Sequence, residues 1–417
     1  MIARIKGTQD FLDLTLFNFL ISTIKKHIQL YHFTEIATPI LEPLELFKRS
    51  LGVETDVISK EMYLVHSGHE EENICLRPEV TASTMRAFLE NGIQTTPWKV
   101  FSWGPMFRHE RPQKGRYRQF HQVTFEIIGS EAIAQDAYFI TMLDRLFHEK
   151  FLLNEYALLI NFLGCPDDRV IFKKELHAFL EQHKTEICAN CLIRKEKNIL
   201  RVFDCKNEQC QKLYEKAPQL VNYLCASCTT EWKTLQDLLG QLSVSFVYAP
   251  RLVRGLDYYN KTVFEFTSPH LGAQNAFCGG GRYNLARQLG ASTDYPAVGA
   301  AIGIERLLLL LAANQQLIVP QPAAIQVIIP ISNEQIPLAL LLADELHARE
   351  IATEVLLEQQ SVKSMLRKAD KMGAQHCILI GPEEQQQRVV KLKNMITSIE
   401  SIVSFEELIA LLKNKGI

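Results

Sequence analysis

A short basic segment is the part of this sequence whose residue types point first to chemistry. Residues 107–122, FRHERPQKGRYRQFHQ, hold five arginine or lysine side chains and two histidines, whereas the whole chain has a formal net charge of only −2. A guanidinium group stays charged and can donate two hydrogen bonds to phosphate oxygens at once. Arginines clustered at one turn are therefore typical of a polyphosphate site. A solvated hairpin tip would carry similar charge, and the neighbouring strand must decide between the two interpretations.

The segment that follows the basic turn has a polar face. Residues two apart on a strand share a face, so Phe120, Gln122, Thr124 and Glu126 point the same way. An aromatic ring, an amide and a carboxylate in one row suit a polar pocket better than a core. The chain contains no Gly-x-x-x-x-Gly-Lys-Ser/Thr loop, so a bound nucleotide needs other phosphate ligands, which the arginines can provide.

A hairpin is needed to position these residues. Strands are predicted over 98–106 and 119–129, with Pro112 and Gly115 in the turn between them. The pattern before them predicts an amphipathic helix over 11–33, an extended segment over 34–47, and a turn into a helix that ends near Gly92. Strand and glycine signals return at 253–266 and 276–284, and residues 297–314 are predicted as strand, turn and helix.

The 417 residues are enough for two or three domains. Between about 165 and 245 the sequence changes to charged helices and cysteines, which indicates an insertion. The two prolines of IVPQPAAIQ indicate a linker, and beyond it strands (325–331, 351–357, 375–381) alternate with helices (333–350, 361–373) as in a small α/β domain. We predict domains over 1–322 and 323–417.

Composition narrows the class of protein. A hydrophobic content of 47% and a charged content of 22% are typical of soluble globular proteins. Near-neutral charge argues against a protein coated with nucleic acid, so any such contact must come from local patches. The first residues lack the pattern of a signal peptide, and the longest apolar run is far shorter than a membrane span. We predict a cytoplasmic protein with no membrane partner.

Six of the ten cysteines fall within residues 188–228. Two Cys-x-x-Cys pairs are what a tetrahedral zinc site would use, although the 33 residues between them exceed the usual finger spacing. Small buried hydrophobic side chains in a reducing compartment would look the same, so spacing leaves both interpretations open. The candidate zinc ligands are Cys188, Cys191, Cys225 and Cys228, with Cys205 and Cys210 available to replace or supplement one.

Five motifs, taken together, resemble the class II aminoacyl-tRNA synthetases in their histidine-specific form. FRHERPQKGRYRQFHQVTFE (107–126) is similar to motif 2, IATPILEPLELFKRSLG (36–52) to motif 1, and GIER (303–306) to motif 3. RGLDYYN (254–260) and GGGRYN (279–284) are similar to the two histidine signatures. The resemblance covers essentially the whole chain. It implies an α+β fold with an antiparallel-sheet catalytic core, a helical insertion and a C-terminal α/β anticodon-binding domain.

The resemblance also implies residue roles. Arg108 and Arg254 would be the catalytic residues, acting at the α-phosphate of ATP. The other ATP-binding residues would be Glu110 at the adenine amino group, Phe120 on the adenine ring, and Arg116 and Arg306 on the outer phosphates, with Mg²⁺ on the nucleotide. The histidine-binding residues would be Glu79, Thr81, Gln122, Glu126, Tyr258, Tyr259 and Tyr283.

The activity implied is that of a histidine–tRNA ligase. ATP and L-histidine would give histidyl-adenylate and pyrophosphate, and the histidyl group would then move to the 3′ end of tRNA(His), with motif 1 building a homodimer. One alternative is a non-catalytic histidine-binding regulator of histidine biosynthesis. Such paralogues typically lack the anticodon-binding domain and some of the residues that bind ATP. This chain has both the C-terminal domain and the ATP-binding arginines. A zinc-dependent nucleic-acid-binding module would explain the cysteines but not the polar row.

Some residues of the motifs depart from the family pattern or have plainer interpretations. Asn284 follows GGGRY where the family often has aspartate, and Val80 stands where glycine is frequent. Arg254 could form an ion pair with Asp257, and the basic residues of the insertion could contact tRNA or only solvent. The role of position 284 therefore stays open.

Overall fold

The computed structural model describes residues 2–52, 55–66, 73–254, 258–272, 275–320 and 324–413. The chain forms two compact units, Met1–Val319 and Pro320–Ile417. The predicted domain boundary, 322/323, lies outside the described residues.

The first unit is built on an eight-stranded sheet. The strands described in this unit are, in chain order, β1 (Thr34–Glu35), β2 (Leu41–Pro43), β3 (Tyr63–Val65), β4 (Ile74–Leu76), β5 (Trp98–Phe107), β6 (Gln119–Ile128), β7 (Ala157–Phe162), β8 (Val247–Tyr248), β9 (Tyr259–Thr267), β10 (Ala276–Tyr283) and β11 (Ala297–Gly303). The large sheet has the order β1-β5-β6-β11-β10-β9-β7-β8, and β2-β4-β3 form a small separate sheet. Pairs in the large sheet are antiparallel except β1–β5 and β7–β8. The predicted α+β class is confirmed.

Helices cover this sheet and form the insertion. They are α1 (Thr15–Gln29), α2 (Leu44–Leu51), α3 (Thr81–Glu90), α4 (Ile133–Arg145), α5 (Pro166–Gln182), α6 (Ala189–Lys197), α7 (Glu208–Tyr214), α8 (Ala226–Gln241) and α9 (Ile304–Ala313). Short 3₁₀ helices lie at Ile199–Asp204, Leu220–Tyr223 and Pro269–Leu271, and π-helical turns at Val57–Glu61 and Leu146–Lys150. The predicted extended segment over 34–47 is wrong at its end: α2 begins at Leu44, because Leu44, Phe47 and Leu51 are buried at helical spacing.

The hairpin β5–β6 has two chemically different faces. Val123, Phe125 and Ile127 are buried in the main core beside residues of α1 and α4. Gln122 and Glu126, on the other face, pair across the ladder with Gly104 and Val100 of β5. The predicted strands therefore exist, and their alternation separates an apolar face from a polar one.

The second unit is a five-stranded sheet with helices. Its strands are β12 (Ile325–Pro330), β13 (Thr353–Val355), β14 (Ala374–Ile380), β15 (Val389–Asn394) and β16 (Glu400–Ser404), and its helices are α10 (Ile336–His347), α11 (Val362–Lys371), α12 (Pro382–Gln387) and α13 (Phe405–Lys413), with a 3₁₀ turn at Asn333–Gln335. The order is β13-β12-β14-β15-β16. Ile328 and Val327 lie in two separate cores because side chains alternate across β12. None of the helices described in either unit is long and apolar enough to cross a membrane.

Candidate active site

A cavity of about 420 Å³ lies in the first unit and contains most of the predicted site residues. Strands β6, β9, β10 and β11 and the starts of α3 and α9 bring its walls together from distant parts of the chain. The predicted residues that line it are Glu79, Thr81, Arg108, Glu110, Arg116, Phe120, Gln122, Arg254, Tyr258, Tyr259 and Arg306.

Two of its arginines are held by backbone carbonyl groups. Nε of Arg108, the first residue after β5, donates to the carbonyl oxygen of Pro78 at 2.9 Å, and its guanidinium lies 5.4 Å from the Phe120 ring centroid. Nε of Arg306, in the first turn of α9, donates to the carbonyl oxygen of Gly115 at 3.2 Å. Burial lowers the pKa of both guanidinium groups, yet arginine remains charged in proteins. The pocket therefore carries fixed positive charge at the end where the basic turn closes over it.

Glu110 and Arg116 form an ion pair across the basic turn. The Glu110 side chain is only 7% exposed, so the pair lies partly inside the cavity wall. Both residues are predicted to bind ATP, at opposite ends of the nucleotide. In this structure each one neutralises the other.

Arg254 makes an ion pair with Glu265 on β9. Its guanidinium lies 5.6 Å from the ring centroid of Tyr259, and a side chain at position 279 would overlap it, so Gly279 leaves the space that Arg254 occupies. Asp257, the alternative ion-pair partner, lies outside the described residues. The carboxylate, the aromatic ring and the space over the glycine thus fix Arg254 in the pocket wall.

A second group of residues forms a buried hydrogen-bond chain. Glu79 accepts hydrogen bonds from the backbone N–H groups of Thr81 and Ala82 at 2.8 and 2.9 Å, at the start of α3. The Thr81 hydroxyl donates to Oε1 of Glu126 at 2.6 Å, and the Tyr283 hydroxyl donates to Oε2 at 2.6 Å. Burial raises the pKa of Glu126 to about 8, although these two hydrogen bonds act in the other direction.

Glu126 and Tyr283 lie behind the cavity wall rather than in it. Glu126 is 1% exposed and Tyr283 is 1% exposed, and neither lines the cavity. The ring of Tyr258 packs 4.5 Å from Tyr259 and 5.4 Å from Tyr283, centroid to centroid. The predicted histidine-binding residues therefore form two layers, with Thr81 and Tyr258 in front of Glu126 and Tyr283.

Among the buried polar atoms of the cavity lining, Oε1 of Gln122, Oγ1 of Thr124 and Nε of Arg254 have no hydrogen-bond partner within the part of the chain that the structure describes. Buried polar groups are nearly always paired, by protein, water or ligand. Their common position around one cavity indicates a polar ligand.

Glu265 and Glu305 are among the carboxylates of the cavity wall that the sequence did not predict. Glu265 pairs with Arg254, and Glu305 accepts hydrogen bonds from the backbone N–H of His121 at 2.9 Å and from its Nδ1 at 2.8 Å. Glu305 belongs to the GIER motif, and Glu265 follows the RGLDYYN signature on the same strand segment. The motifs were therefore the signal that could have found them.

The insertion contributes to the same region. Arg194, Arg201 and Asp204 line the active-site cavity. A neighbouring groove of about 610 Å³ shares Arg254 and Tyr259 with that cavity. Its basic lining consists of Arg169, Lys173, Lys174, His177, Lys195, Lys197 and Arg201.

The predicted zinc ligand set is corrected by the structure. Cys188 and Cys191 lie with Cys205 and Cys210, with all four sulfur atoms within 4.8 Å of one another. Cys225 and Cys228 lie in a second cluster, with Cys165 and Asp168. The two Cys-x-x-Cys pairs do not meet because each begins a different helix, α6 or α8, and each helix start packs against another segment.

Comparison with known families defines the class. Residues 63–315 match the tRNA synthetase class II core domain (G, H, P, S and T), and residues 326–415 match the anticodon binding domain. The core match contains all the arginines that line the cavity, and it covers more than half of the chain. The chain belongs to the class II aminoacyl-tRNA synthetases.

Full-length relatives narrow this to one branch. The chain is 40% identical to a histidine–tRNA ligase of Thermodesulfovibrio yellowstonii, over 99% of this chain and 98% of the relative. It is 41% identical to that of Solidesulfovibrio magneticus, over 97% and 95%. The crystal structure of apo S. aureus histidyl-tRNA synthetase superimposes with a TM-score of 0.82 at 28% identity, covering 99% of this chain and 100% of that one. Within its class, the chain is a member of the histidine–tRNA ligase family.

Proposed function

We propose that this chain activates L-histidine with ATP in the cavity described above and transfers the histidyl group to the 3′ end of tRNA(His). The supporting observation is that Arg108, Arg116, Arg254 and Arg306 converge on the cavity that Gln122 also lines, with a buried oxygen that has no hydrogen-bond partner among the described residues. Arginines suit a triphosphate, and a buried polar row suits a small zwitterion.

Adenylate formation brings two anions together, because the histidine carboxylate attacks the α-phosphate. The carboxylate is already a nucleophile, so positioning and positive charge do the work without a general base. Arg108 and Arg254 are the catalytic residues in this proposal. Arg254 is fixed between Glu265 and the Tyr259 ring, so it meets the developing charge without having to be ordered first.

The nucleotide takes the basic end of the cavity. Phe120 stacks on the adenine, Glu110 accepts a hydrogen bond from its amino group, and Arg116 and Arg306 bind the outer phosphates. The Glu110–Arg116 ion pair must therefore open when ATP enters. Mg²⁺ bound together with ATP would neutralise phosphate charge. The cavity carboxylates of Glu265 and Glu305 are oxygen ligands of the kind this ion prefers.

Histidine takes the opposite end. Glu79, Thr81 and Gln122 bind its ammonium and carboxylate groups. The amide oxygen of Gln122 has no partner in the described part of the chain, which supports that role. Tyr258, Tyr259, Tyr283 and Glu126 surround the imidazole, which Glu126 reaches once the Thr81 hydroxyl turns away from it. A pocket that pairs both ring nitrogens rejects analogues lacking them by about 10⁴ or more, since its own buried groups would be left unpaired.

Transfer needs tRNA at two places. We assign the 3′ end to the basic groove that shares Arg254 with the cavity, and the anticodon to residues 323–417, whose sequence matches an anticodon binding domain. A chain truncated after Val319 should retain adenylate formation and lose about two orders of magnitude in tRNA charging, because one of two linked contacts is gone. Equal charging by the truncated chain would refute this assignment.

Motif 1 is assigned to a homodimer in the cytoplasm. Ile40, Leu41 and Leu64, in and beside its small sheet, are exposed by 41, 52 and 53%, which is typical of an interaction surface when such residues are contiguous. Sedimentation of the wild-type chain and of Leu41→Asp tests this. A wild-type monomer at micromolar concentration would exclude the dimer.

ATP–pyrophosphate exchange with each of the twenty amino acids tests the central proposal. Exchange that depends on histidine alone is the expected result. Histidine binding without any exchange would instead favour the regulator, and exchange with a different amino acid would overturn the pocket assignment.

A further inference from the structure

We propose that Cys188, Cys191, Cys205 and Cys210 bind one structural zinc ion in the insertion. Their sulfur atoms all lie within 4.8 Å of one another, and Sγ of Cys188 is 3.7 Å from Sγ of Cys205. Tetrahedral zinc with Zn–S bonds of about 2.3 Å places its sulfur ligands about 3.8 Å apart. The four side chains therefore surround a space of the size that zinc needs.

The start of α6 lies at this cluster. Cys188 immediately precedes α6 and Cys191 lies in its first turn, while Cys210 reaches the cluster from α7. The N-terminus of a helix carries partial positive charge, which stabilises negative charge placed beside it. The start of α6 therefore suits a zinc ion bound to four thiolates, a unit that would carry two negative charges.

Backbone hydrogen bonds to sulfur are already in place. The N–H of Cys188 donates to Sγ of Cys210 at 3.2 Å, and the N–H of Asn207 donates to Sγ of Cys205 at 3.4 Å. Such outer contacts orient the ligands of a metal and hold their charge. These hydrogen bonds would hold two of the four sulfur atoms in place for a metal.

A buried hydroxyl gives an independent indication. The hydroxyl of Tyr214 has no hydrogen-bond partner at normal geometry in the described ranges, and it lies next to Cys191. A buried hydroxyl left unpaired costs free energy, because it has given up its bonds to water. A metal-bound thiolate is a strong acceptor and would satisfy it.

A disulfide does not account for the cluster equally well. The 3.7 Å between Cys188 and Cys205 is far longer than an S–S bond of about 2.05 Å. A single disulfide would leave two of the four sulfur atoms unpaired beside it, and all four cysteines are free in this structure. One zinc ion would use all four.

The second cluster offers a matched control because its carboxylate already has another role. Oδ2 of Asp168 accepts the N–H of Cys165 at 3.1 Å, and Oδ1 accepts the N–H of Cys225 at 2.8 Å. Asp168 therefore caps the starts of α5 and α8, and Cys225 is exposed. Helix capping explains this cluster without a metal.

The zinc would also fix one wall of the active site. Arg194 on α6, and Arg201 and Asp204 on the 3₁₀ segment between the ligand pairs, line the catalytic cavity. Each of these residues is close in sequence to a proposed ligand. This consequence depends on the proposed function, whereas the metal content does not.

Elemental analysis of the full chain, purified without a metal-affinity tag or chelator, tests the site. We expect about one zinc per chain in the wild type and in Cys225→Ser/Cys228→Ser, and less than about 0.1 in Cys188→Ser/Cys205→Ser. Wild-type protein without zinc would overturn the proposal. So would zinc that is lost only from the Cys225/Cys228 variant.

A second measurement uses only wild-type protein, in case the variant does not fold. Mercurial titration of the thiols should release zinc in step with the modification of four cysteines, and peptide mapping should identify these as residues 188, 191, 205 and 210. Cobalt loaded in place of zinc should show the absorption of tetrahedral tetrathiolate coordination. Release with other cysteines, or cobalt without thiolate charge transfer, would refute the assignment. Neither readout depends on aminoacylation.

Discussion

The catalytic pocket and the sulfur cluster of the insertion hold their polar groups in opposite ways. The pocket collects residues from distant parts of the chain, on strands of one large sheet, on the loops between them and at the starts of α3 and α9. The cluster collects four side chains from residues 188–210, which carry only two short helices and a 3₁₀ turn. In the pocket, the folded sheet holds the functional side chains in place. In the cluster, the proposed zinc ion would hold the surrounding helices in place.

Because of this difference, we expect substitutions in the pocket to reduce activity and substitutions in the cluster to reduce local stability. Removing one side chain from the pocket leaves the sheet and its core intact, so the cost should appear in rate. Removing a ligand from the cluster takes away a cross-link between α6 and α7, so the cost should appear first in local order. Four substitutions test whether the two regions respond so differently.

The largest effect is expected for Arg254→Ala. Single-turnover adenylate formation should fall by about 10²–10³-fold, because one preorganised positive charge is lost where negative charge develops. The melting temperature should change little, since the partner Glu265 is 22% exposed and can be solvated. Rapid-quench kinetics measure the rate of adenylate formation, and thermal unfolding measures the melting temperature. The control is Arg145→Ala, which removes equal charge from a surface ion pair. Unchanged adenylation in Arg254→Ala would exclude its catalytic role.

The double substitution Cys188→Ser/Cys205→Ser should have the opposite result, with a large loss of local order and a small loss of rate. Adenylation should fall by about tenfold, because Arg194 and Arg201 lose their fixed positions. Limited proteolysis should cut within residues 185–215 while the C-terminal unit and the sheet remain protected. A variant as resistant as wild type, with unchanged metal content, would remove the distinction between the two regions.

Glu126→Gln tests the buried carboxyl through pH. The pKa of Glu126 is raised from 4.5 to about 8, so its contribution to stability is complete below pH 4.5 and is lost as the pH rises through 8. Within that window the free energy of unfolding should fall by up to about 1.4 kcal/mol per pH unit on account of this group. The glutamine amide cannot titrate, so urea unfolding of the variant should show a shallower dependence. Parallel pH profiles would contradict the raised pKa.

Cys225→Ser should have the smallest effect. Cys225 is exposed at the N-cap of α8, where its sulfur accepts the N–H of Cys228 at 3.5 Å. Serine is a preferred residue at this position, so stability should change by no more than about 0.5–1 kcal/mol, towards greater stability. Zinc content and adenylation should match wild type. A loss of zinc would transfer the metal to the second cluster.

Sequence reasoning succeeded where one pattern controls one element. Alternation along β6 predicted that Gln122 and Glu126 share a face, and the observed strand has that arrangement because its other face is buried in the core. It failed at Leu44, where the segment predicted as extended over 34–47 becomes the helix α2. It also could not pair the cysteines, because spacing along the chain does not determine which helix starts meet in space. The layering of Glu126 behind Thr81 likewise depends on packing between β6 and α3.

The glycines of GGGRY should show two different kinds of mutational intolerance. A methyl group at 279 would meet the guanidinium of Arg254, which can move aside, whereas one at 280 would meet the backbone of Gly299 and Ala300, which cannot. A scan of activity alone would score alanine as equally damaging at both positions. A parallel scan of abundance would separate them, with Gly279→Ala accumulating as a folded, inactive protein and Gly280→Ala depleted. Of these adjacent glycines, Gly279 is therefore needed for catalysis and Gly280 for the packing of the sheet.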